Sequence, residues 1–239
     1  MMWPFRRQSY WHQVVVENDV TAAAAADAPH DLARGGWTPL ELAKLLGRKE
    51  IVTLWEPALP MPVGTAEFRY WPFPWASSYK QLKQILRESP SKRLETVTQR
   101  REQYLRDIWD AVVAPVEVRW ISQDIGRGLF ALEAIEANQF VLCYSGELRR
   151  LYRSFPDQND YCLHYPSRWE PFHVWIVDAQ ERAGFGRYIN HSDCPNLELE
   201  SVVDRGLLFF FFLAKRPISA GEELTFDYGP NFWRYHQKC

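Results

Sequence analysis

The stretch Gly186-Arg187-Tyr188-Ile189-Asn190-His191-Ser192, running on to Pro195-Asn196, decides how this chain is read. Taken alone it is a turn with a satisfied histidine, because His191 has no second ligand at metal spacing. Three further segments surround it: Asp124-Ile125-Gly126-Arg127-Gly128-Leu129-Phe130-Ala131, Asn159-Asp160-Tyr161-Cys162-Leu163, and Ala220-Gly221-Glu222-Glu223-Leu224-Thr225-Phe226-Asp227-Tyr228-Gly229. All four fall where short apolar and β-branched runs alternate with Gly, Asn, Asp and Pro: VEVRW, QFVLCYSGEL, HVWIVDA, NLELESVV and LLFFFFLA. From Val116 onward this predicts a sheet-rich domain. Gly126-x-Gly128 is a permissive turn where backbone can approach a ligand. It is not a dinucleotide fingerprint, since no third glycine follows, nor a phosphate loop, since no Gly-Lys-Ser/Thr is present.

In this order and at these separations the segments resemble the SET domain of protein lysine methyltransferases. Its hallmarks are G-x-G, then R-[FY]-[IL]-N-H-S-x-x-P-N, then G-E-E-L-[TG]-[FY]-D-Y-G, with YSGEL (Tyr144 to Leu148) between the first two. The resemblance covers about Val116 to Gly229. It implies small curved sheets, with the Asn-His-Ser segment and the C-terminal segment crossing in a knot-like core. It implies S-adenosylmethionine as cofactor and a protein lysine, a histone tail favoured, as acceptor. The backbone of Ile125 and Arg127 and the Gly128 turn would lie along the cofactor. Asn190 and His191 would contact its adenine and methionine parts, and Arg187 would support their loop. Tyr228 would be the catalytic tyrosine and a cofactor contact. Tyr161 would join it in catalysis and, with Phe226 and Trp233, shape the target-lysine channel.

Where many members carry Asn-His-Ser-Cys, this chain has Asn190-His191-Ser192-Asp193, with Cys194 one place later. The C-x-C-x4-C flank of zinc-bearing relatives is replaced by a tail with Cys239 alone. No metal is therefore expected, and Phe232, Trp233 and Tyr235 are expected to close the channel with rings instead. The run Leu207 to Ala214 is apolar throughout, so another element should cover it; the helical pattern from Leu94 to Val112 is the candidate.

Upstream, Thr38 reads as a helix cap with Pro39 at the first helical position. Leu40, Leu42, Ala43 and Leu46 form an apolar face, Gly47 breaks it, and Ile51, Val52, Leu54 and Trp55 form a second before Pro57. This hairpin resembles an ankyrin repeat, with Glu41 where that pattern usually has His. One repeat cannot bury its own faces, so the preceding residues should form a degenerate repeat or the unit should pack on its neighbour. Ala22 to Ala26 is compatible with helix or linker. Met61 to Trp75, with Pro60, Pro62, Pro72 and Pro74 nearby or within it, reads as an extended connector without regular sheet. Tyr79 to Leu86 is a short helical pattern, and Ser89-Pro90 caps the long helix that follows, which should run until Pro115. The fold class expected is α+β: an ankyrin-like helical region at 1–60, connector and amphipathic helix at 61–114, a SET domain at 115–231 and an aromatic tail at 232–239.

Composition narrows the field. The chain has 239 residues, 46% apolar and 24% charged, with a formal net charge of -2. That is a globular composition, and it disfavours a strongly basic nucleic-acid surface, so direct nucleic-acid binding is not expected. The four cysteines are scattered, which speaks against a zinc knuckle or disulfide framework. The eight residues LLFFFFLA are well short of the roughly 18 needed to span a bilayer. Arg6 and Arg7 are not followed by an apolar run, so neither a secretory signal nor a membrane partner is expected. From Pro115 onward 13 Lys and Arg face 17 Asp and Glu, a charge suited to a basic peptide. The expected compartment is intracellular: the nucleus if histone is the substrate, or a host nucleus for a secreted bacterial protein. A catalytically inactive SET and ankyrin interaction module is the alternative, and oligomeric state is not legible.

Overall fold

The computed structural model describes residues 10–27, 29, 36–57, 69–88, 101–152, 159–167 and 173–233. It opens with two helical pairs, α1 (Tyr10–Glu17) with α2 (Val20–Ala24) and α3 (Pro39–Leu45) with α4 (Lys49–Trp55). Thr38 caps α3 in a reciprocal box: the Glu41 amide donates to Thr38 Oγ1 at 3.2 Å, and the Thr38 amide donates to Glu41 Oε2 at 2.7 Å. Asp19 caps α2 by accepting from the Ala22 amide. α1 packs on α3 and α2 on α4, which buries Leu42, Ala43, Leu45, Ile51 and Val52. Trp55 Nε1 donates to the Ala23 carbonyl across the stack. The residues before Thr38 therefore do supply a second helical layer.

The expected connector falls partly at 61–68, outside the described residues. Beyond it the expectation of no regular sheet is corrected: Arg69–Tyr70 forms a short parallel strand, β1, paired with Arg182–Ala183. The prolines lie outside that pair, so no ladder hydrogen bond is lost. Trp71 and Phe73 are fully buried. α5 (Tyr79–Glu88) follows; the cap expected at Ser89-Pro90 and the first turns expected from Leu94 lie outside the described residues. The next helix, α6, spans Arg101–Trp109 and stops before Val112. Ala111 takes φ 53°, its amide donates to the Ile108 carbonyl, and the Val112 amide donates to the Asp107 carbonyl. That is a Schellman ending with alanine in the left-handed position usually held by glycine, so no glycine marks the stop in the sequence.

The strands follow in sequence: β2 (Val116–Ser122), β3 (Gly126–Ala131), β4 (Phe140–Tyr144), β5 (Glu147–Tyr152), β6 (Cys162–Tyr165), β7 (His173–Asp178), β8 (Arg182–Ala183), β9 (Asn190–His191), β10 (Leu197–Asp204), β11 (Leu207–Ala214) and β12 (Thr225–Phe226). A 3₁₀ turn at Phe185–Tyr188 precedes β9, and α7 (Pro230–Trp233) follows β12. They build an antiparallel hairpin β2-β3, antiparallel sheets β10-β11-β4 and β5-β7-β6, and parallel pairs β1-β8 and β9-β12. The single run expected from Gln139 to Leu148 breaks into β4 and β5 at Ser145-Gly146. A Cβ on Gly146 would lie 2.4 Å from the Asp178 carbonyl oxygen, so only glycine fits there.

β11 is the centre of its sheet and is covered on both faces, which is why it lacks polar alternation. On one face α6 sets Tyr104 at 4.8 Å from Phe211 and Trp109 at 5.4 Å from Phe209. This cover was expected from the helix. On the other face Phe210 meets Tyr165 and Phe212 meets Phe226. The helical layers are clamped to this sheet at the β10-β11 turn. There Arg205 donates to both oxygens of Glu41 at 2.7 and 2.8 Å, to the Gly36 carbonyl and to Asp204, and lies 3.9 Å from the Trp37 ring centroid. The glutamate that departs from the ankyrin pattern thus serves both the helix cap and the clamp.

Candidate functional site

Two segments far apart in the chain meet through β9 and β12, with Thr225 opposite Asn190 and Phe226 opposite His191. Asn196, 2% exposed, ties them further. Its Nδ2 donates to Glu222 Oε1 at 3.0 Å and to the Glu223 carbonyl at 2.8 Å, and its Oδ1 accepts from the Thr225 amide. Every polar end of this buried amide is used, as burial demands. The Ser192 amide donates to the Phe226 carbonyl beside it.

Tyr228 lies just past β12. Its hydroxyl donates to the Ile189 carbonyl at 3.0 Å, and its main-chain amide donates to His191 Nδ1 at 3.3 Å. His191 therefore carries its proton on Nε2 when neutral, facing Asp193 Oδ1 at 3.2 Å. Burial pushes the Tyr228 hydroxyl above its ordinary pKa, and the neighbouring Tyr161, Asp160 and Glu223 act in the same direction. It stays protonated at neutral pH and acts as a donor, not a base. The rings of Phe226, Phe232 and His191 lie 4.8, 4.7 and 5.5 Å from it, and Trp233 stacks on it at 6.3 Å. Two residues apart, Phe226 and Tyr228 would share a face if one strand carried both. β12 ends at Phe226, so their contact comes instead from the turn at Asp227, whose Oδ1 accepts from the Gly229 amide. α7 brings Trp233 to 4.7 Å from His191; Tyr235 lies outside the described residues.

Tyr161 forms the adjoining wall. Its carbonyl accepts from the Tyr144 hydroxyl at 2.7 Å, and the Arg187 guanidinium lies 4.3 Å from its ring centroid. Arg187 also donates to the Gln180 carbonyl, which fixes the loop ahead of β9. Complete burial raises the Tyr144 hydroxyl well above its ordinary pKa.

The remaining expected residues gather at the β2-β3 turn. Asn190 Nδ2 donates to the Arg127 carbonyl at 3.2 Å and to Glu223 Oε1 at 2.8 Å. A Cβ on Gly128 would lie 2.5 Å from Ile121 Cδ1 and 2.7 Å from Glu223 Oε1, so a side chain there would push both aside. Gly126, at φ 80°, has open space where a side chain would be. The Ile125 side chain is exposed and its amide is held by Ser122 Oγ. The open backbone at Gly126 and the oriented Asn190 amide leave space and an acceptor for a polar ligand at this turn, which is compatible with S-adenosylmethionine. Among the described residues, no group of three or more His, Cys, Asp and Glu is placed to hold a metal ion, and no helix is long and apolar enough to cross a membrane.

Three residues of the site were not singled out from sequence: Tyr144, Asn196 and Glu223. All lie inside quoted motifs, but a letter in a motif does not show which neighbour its side chain reaches.

Residues 126–229 match the SET domain family. The chain is 38% identical over 104 residues to "Histone-lysine N-methyltransferase ATXR7" of Arabidopsis thaliana, covering 42% of this chain and 7% of that protein. It is 35% identical over 112 residues to "Probable histone-lysine N-methyltransferase set-23" of Caenorhabditis briggsae, covering 44% and 46%. Over 146 residues it is 33% identical to "Histone-lysine N-methyltransferase Set8" of Drosophila pseudoobscura pseudoobscura, covering 56% and 21%. The chain thus spans less than half the length of each of these relatives.

Proposed function

We propose that this protein transfers methyl groups from S-adenosylmethionine to the Nζ of a lysine in a protein, with histone tails as the favoured substrate class. The observation that carries the reading is the seating of Tyr228. Its hydroxyl is fixed on the Ile189 carbonyl and its amide on His191, inside a wall of aromatic rings. The names of the SET relatives support the substrate class.

When bound, the cofactor supplies a methyl group made electrophilic by its sulfonium. The backbone of Ile125, Arg127 and Gly128, with Asn190, His191 and Tyr228, would hold it, and Arg187 would brace that loop. The rings of Tyr161, Phe226, Tyr228 and Trp233 would surround the incoming lysine. A free lysine has a pKa of about 10.4, and an aromatic, water-poor channel disfavours its charged form. Tyr228 keeps its own proton, so it orients the amine and does not accept the proton from it. Alignment and electrostatics then supply the catalysis. The β9-β12 pair would be the core of the knot-like crossing. α1 to α4 would be two ankyrin-like layers offering a surface to a protein partner, and nuclear chromatin would be the place of action. Phe226 has no hydroxyl to hold a water beside the amine, so that space would be easier to vacate, and the expected product is di- or trimethyl-lysine.

The test is transfer of labelled methyl groups from S-adenosylmethionine to core histones and to a cell lysate, followed by mapping of the modified residue. Label on protein lysine is the expected result. A folded protein that binds S-adenosylmethionine yet labels nothing in either mixture would overturn the reading.

A further inference from the structure

Glu222 and Glu223 are neighbours with opposite engagements. Glu222 turns outward: its carboxylate accepts from Arg216, Asn196 Nδ2 and the Ser219 amide. Glu223 turns inward, and its Oε1 accepts from Asn190 Nδ2 at 2.8 Å. The main chain holds Glu223 in place. Its carbonyl accepts from Asn196, it bridges to Phe130, and the next amide, of Leu224, donates to the Leu129 carbonyl at 2.7 Å. Gly128 clears the path, since any side chain there would strike the Glu223 carboxylate and crowd Asn190 Nδ2 at 3.1 Å.

Asn190 is thus caught between two acceptors, the Arg127 carbonyl and the Glu223 carboxylate. Only the nitrogen end of an amide can lie between them, so the ambiguity of amide orientation disappears. Oδ1 is turned away from both and has no hydrogen-bond partner among the described residues. Asn196 makes the contrast, since its Oδ1 is already taken by the Thr225 amide. An acceptor held in one orientation and left unspent is suited to a donor group on a ligand. A carboxylate is a strong partner for an amide N–H, and orienting Asn190 before binding removes an ordering cost at the moment of binding.

We infer that Glu223 is a positioning residue for the cofactor, acting through Asn190 by fixing which end of its amide faces the ligand. The inference rests on reading this site as the S-adenosylmethionine site. Titration calorimetry with S-adenosylmethionine tests it, with the thermal midpoint of each cofactor-free variant recorded alongside. Glu223→Gln keeps an acceptor and removes the charge; Glu223→Asp keeps the charge and withdraws the acceptor by one methylene. Gln is expected to bind within about 3-fold of wild type, and Asp and Ala to bind about 10-fold or more weakly. Glu223→Ala added to Asn190→Ala should weaken binding no further than Asn190→Ala alone, because the two act as one unit. Glu222→Gln should bind like wild type. Wild-type affinity in folded Asp and Ala variants would overturn the inference while leaving the site reading intact. Loss in Gln with retention in Asp would overturn it in favour of a bare charge effect. No binding by folded wild type would overturn the site reading itself.

Discussion

Two clusters of aromatic rings and polar groups lie against opposite faces of β11, and they are finished differently. On the face of Phe209 and Phe211, Trp109 and Trp37 enclose the Arg205 clamp. The guanidinium there is matched by Glu41, Asp204 and the Gly36 carbonyl. On the face of Phe210 and Phe212, the rings continue through Phe226 to Tyr228 and Trp233. That side ends at an open glycine turn and at the uncommitted oxygen of Asn190. The same residue types make a closed joint on one side and a receptive one on the other. What separates them is the central polar group: the Arg205 guanidinium is met by Glu41 and Asp204, whereas Asn190 spends only the nitrogen end of its amide.

The sharpest way to break this comparison is a crossed pair of variants. Phe209→Ala leaves a cavity on the clamped face and should cost about 3–5 kcal/mol of stability, with per-molecule methyl transfer by the folded fraction little changed. Tyr228→Phe should cost about 0.5–1.5 kcal/mol of stability yet lower methyl transfer by about 100-fold, the scale of losing one well-placed hydrogen bond that orients the reacting amine. Denaturant unfolding and labelled-methyl transfer, run on both variants, check the two directions. Equal losses in both assays for both variants would erase the distinction.

A subtler change sharpens it. Phe226 is 9% exposed and packs on Phe212 at 4.9 Å and on Tyr228 at 4.8 Å. Phe226→Tyr should shift the product toward monomethyl-lysine on one peptide, read by mass spectrometry under excess cofactor. A variant that loses stability with an unchanged product would place Phe226 with the packing side of the comparison.

The smallest effect lies at the rim. Arg216, with Asn196 and the Ser219 amide, pulls the Glu222 carboxyl down to about 2. A depressed carboxyl contributes stability above its unfolded pKa and loses it as pH falls through the folded value. The window therefore runs from the ordinary carboxylate range, about 4.3, down to about 2. Glu222→Gln should flatten that part of the acid unfolding curve only slightly, because the pair is partly solvated. A circular-dichroism titration of both proteins measures it.

The candidate site residues were legible as types and in order, because they occupy short segments whose spacing can be read along the chain. Their contacts were less so. The β9-β12 pair brings Asn190 beside Thr225, and no periodicity reaches across that separation. The division of labour between Glu222 and Glu223 was illegible for a related reason. Identical side chains on adjacent residues differ only in which neighbours the backbone turns them toward. The end of α6 carries no sequence mark, because Ala111 takes a backbone conformation that sequence patterns assign to glycine.

By itself, the sequence determined the strand-rich second half, the capped hairpin at Thr38-Pro39, the apolar β11 strand and the set of residues gathered around Tyr228. Each is written in local spacing, in turn chemistry or in a short motif, where neighbouring residues suffer the same steric and solvent constraints. Tertiary structure alone decided that Glu41 reaches Arg205, that α1 and α2 form a second layer beneath α3 and α4, and that Asn196 spends both ends of its amide while Asn190 keeps its oxygen open. These are matters of which donors and acceptors meet across long loops. A hydrogen bond acts over about 3 Å, so it is settled only once the backbone has brought its two partners together.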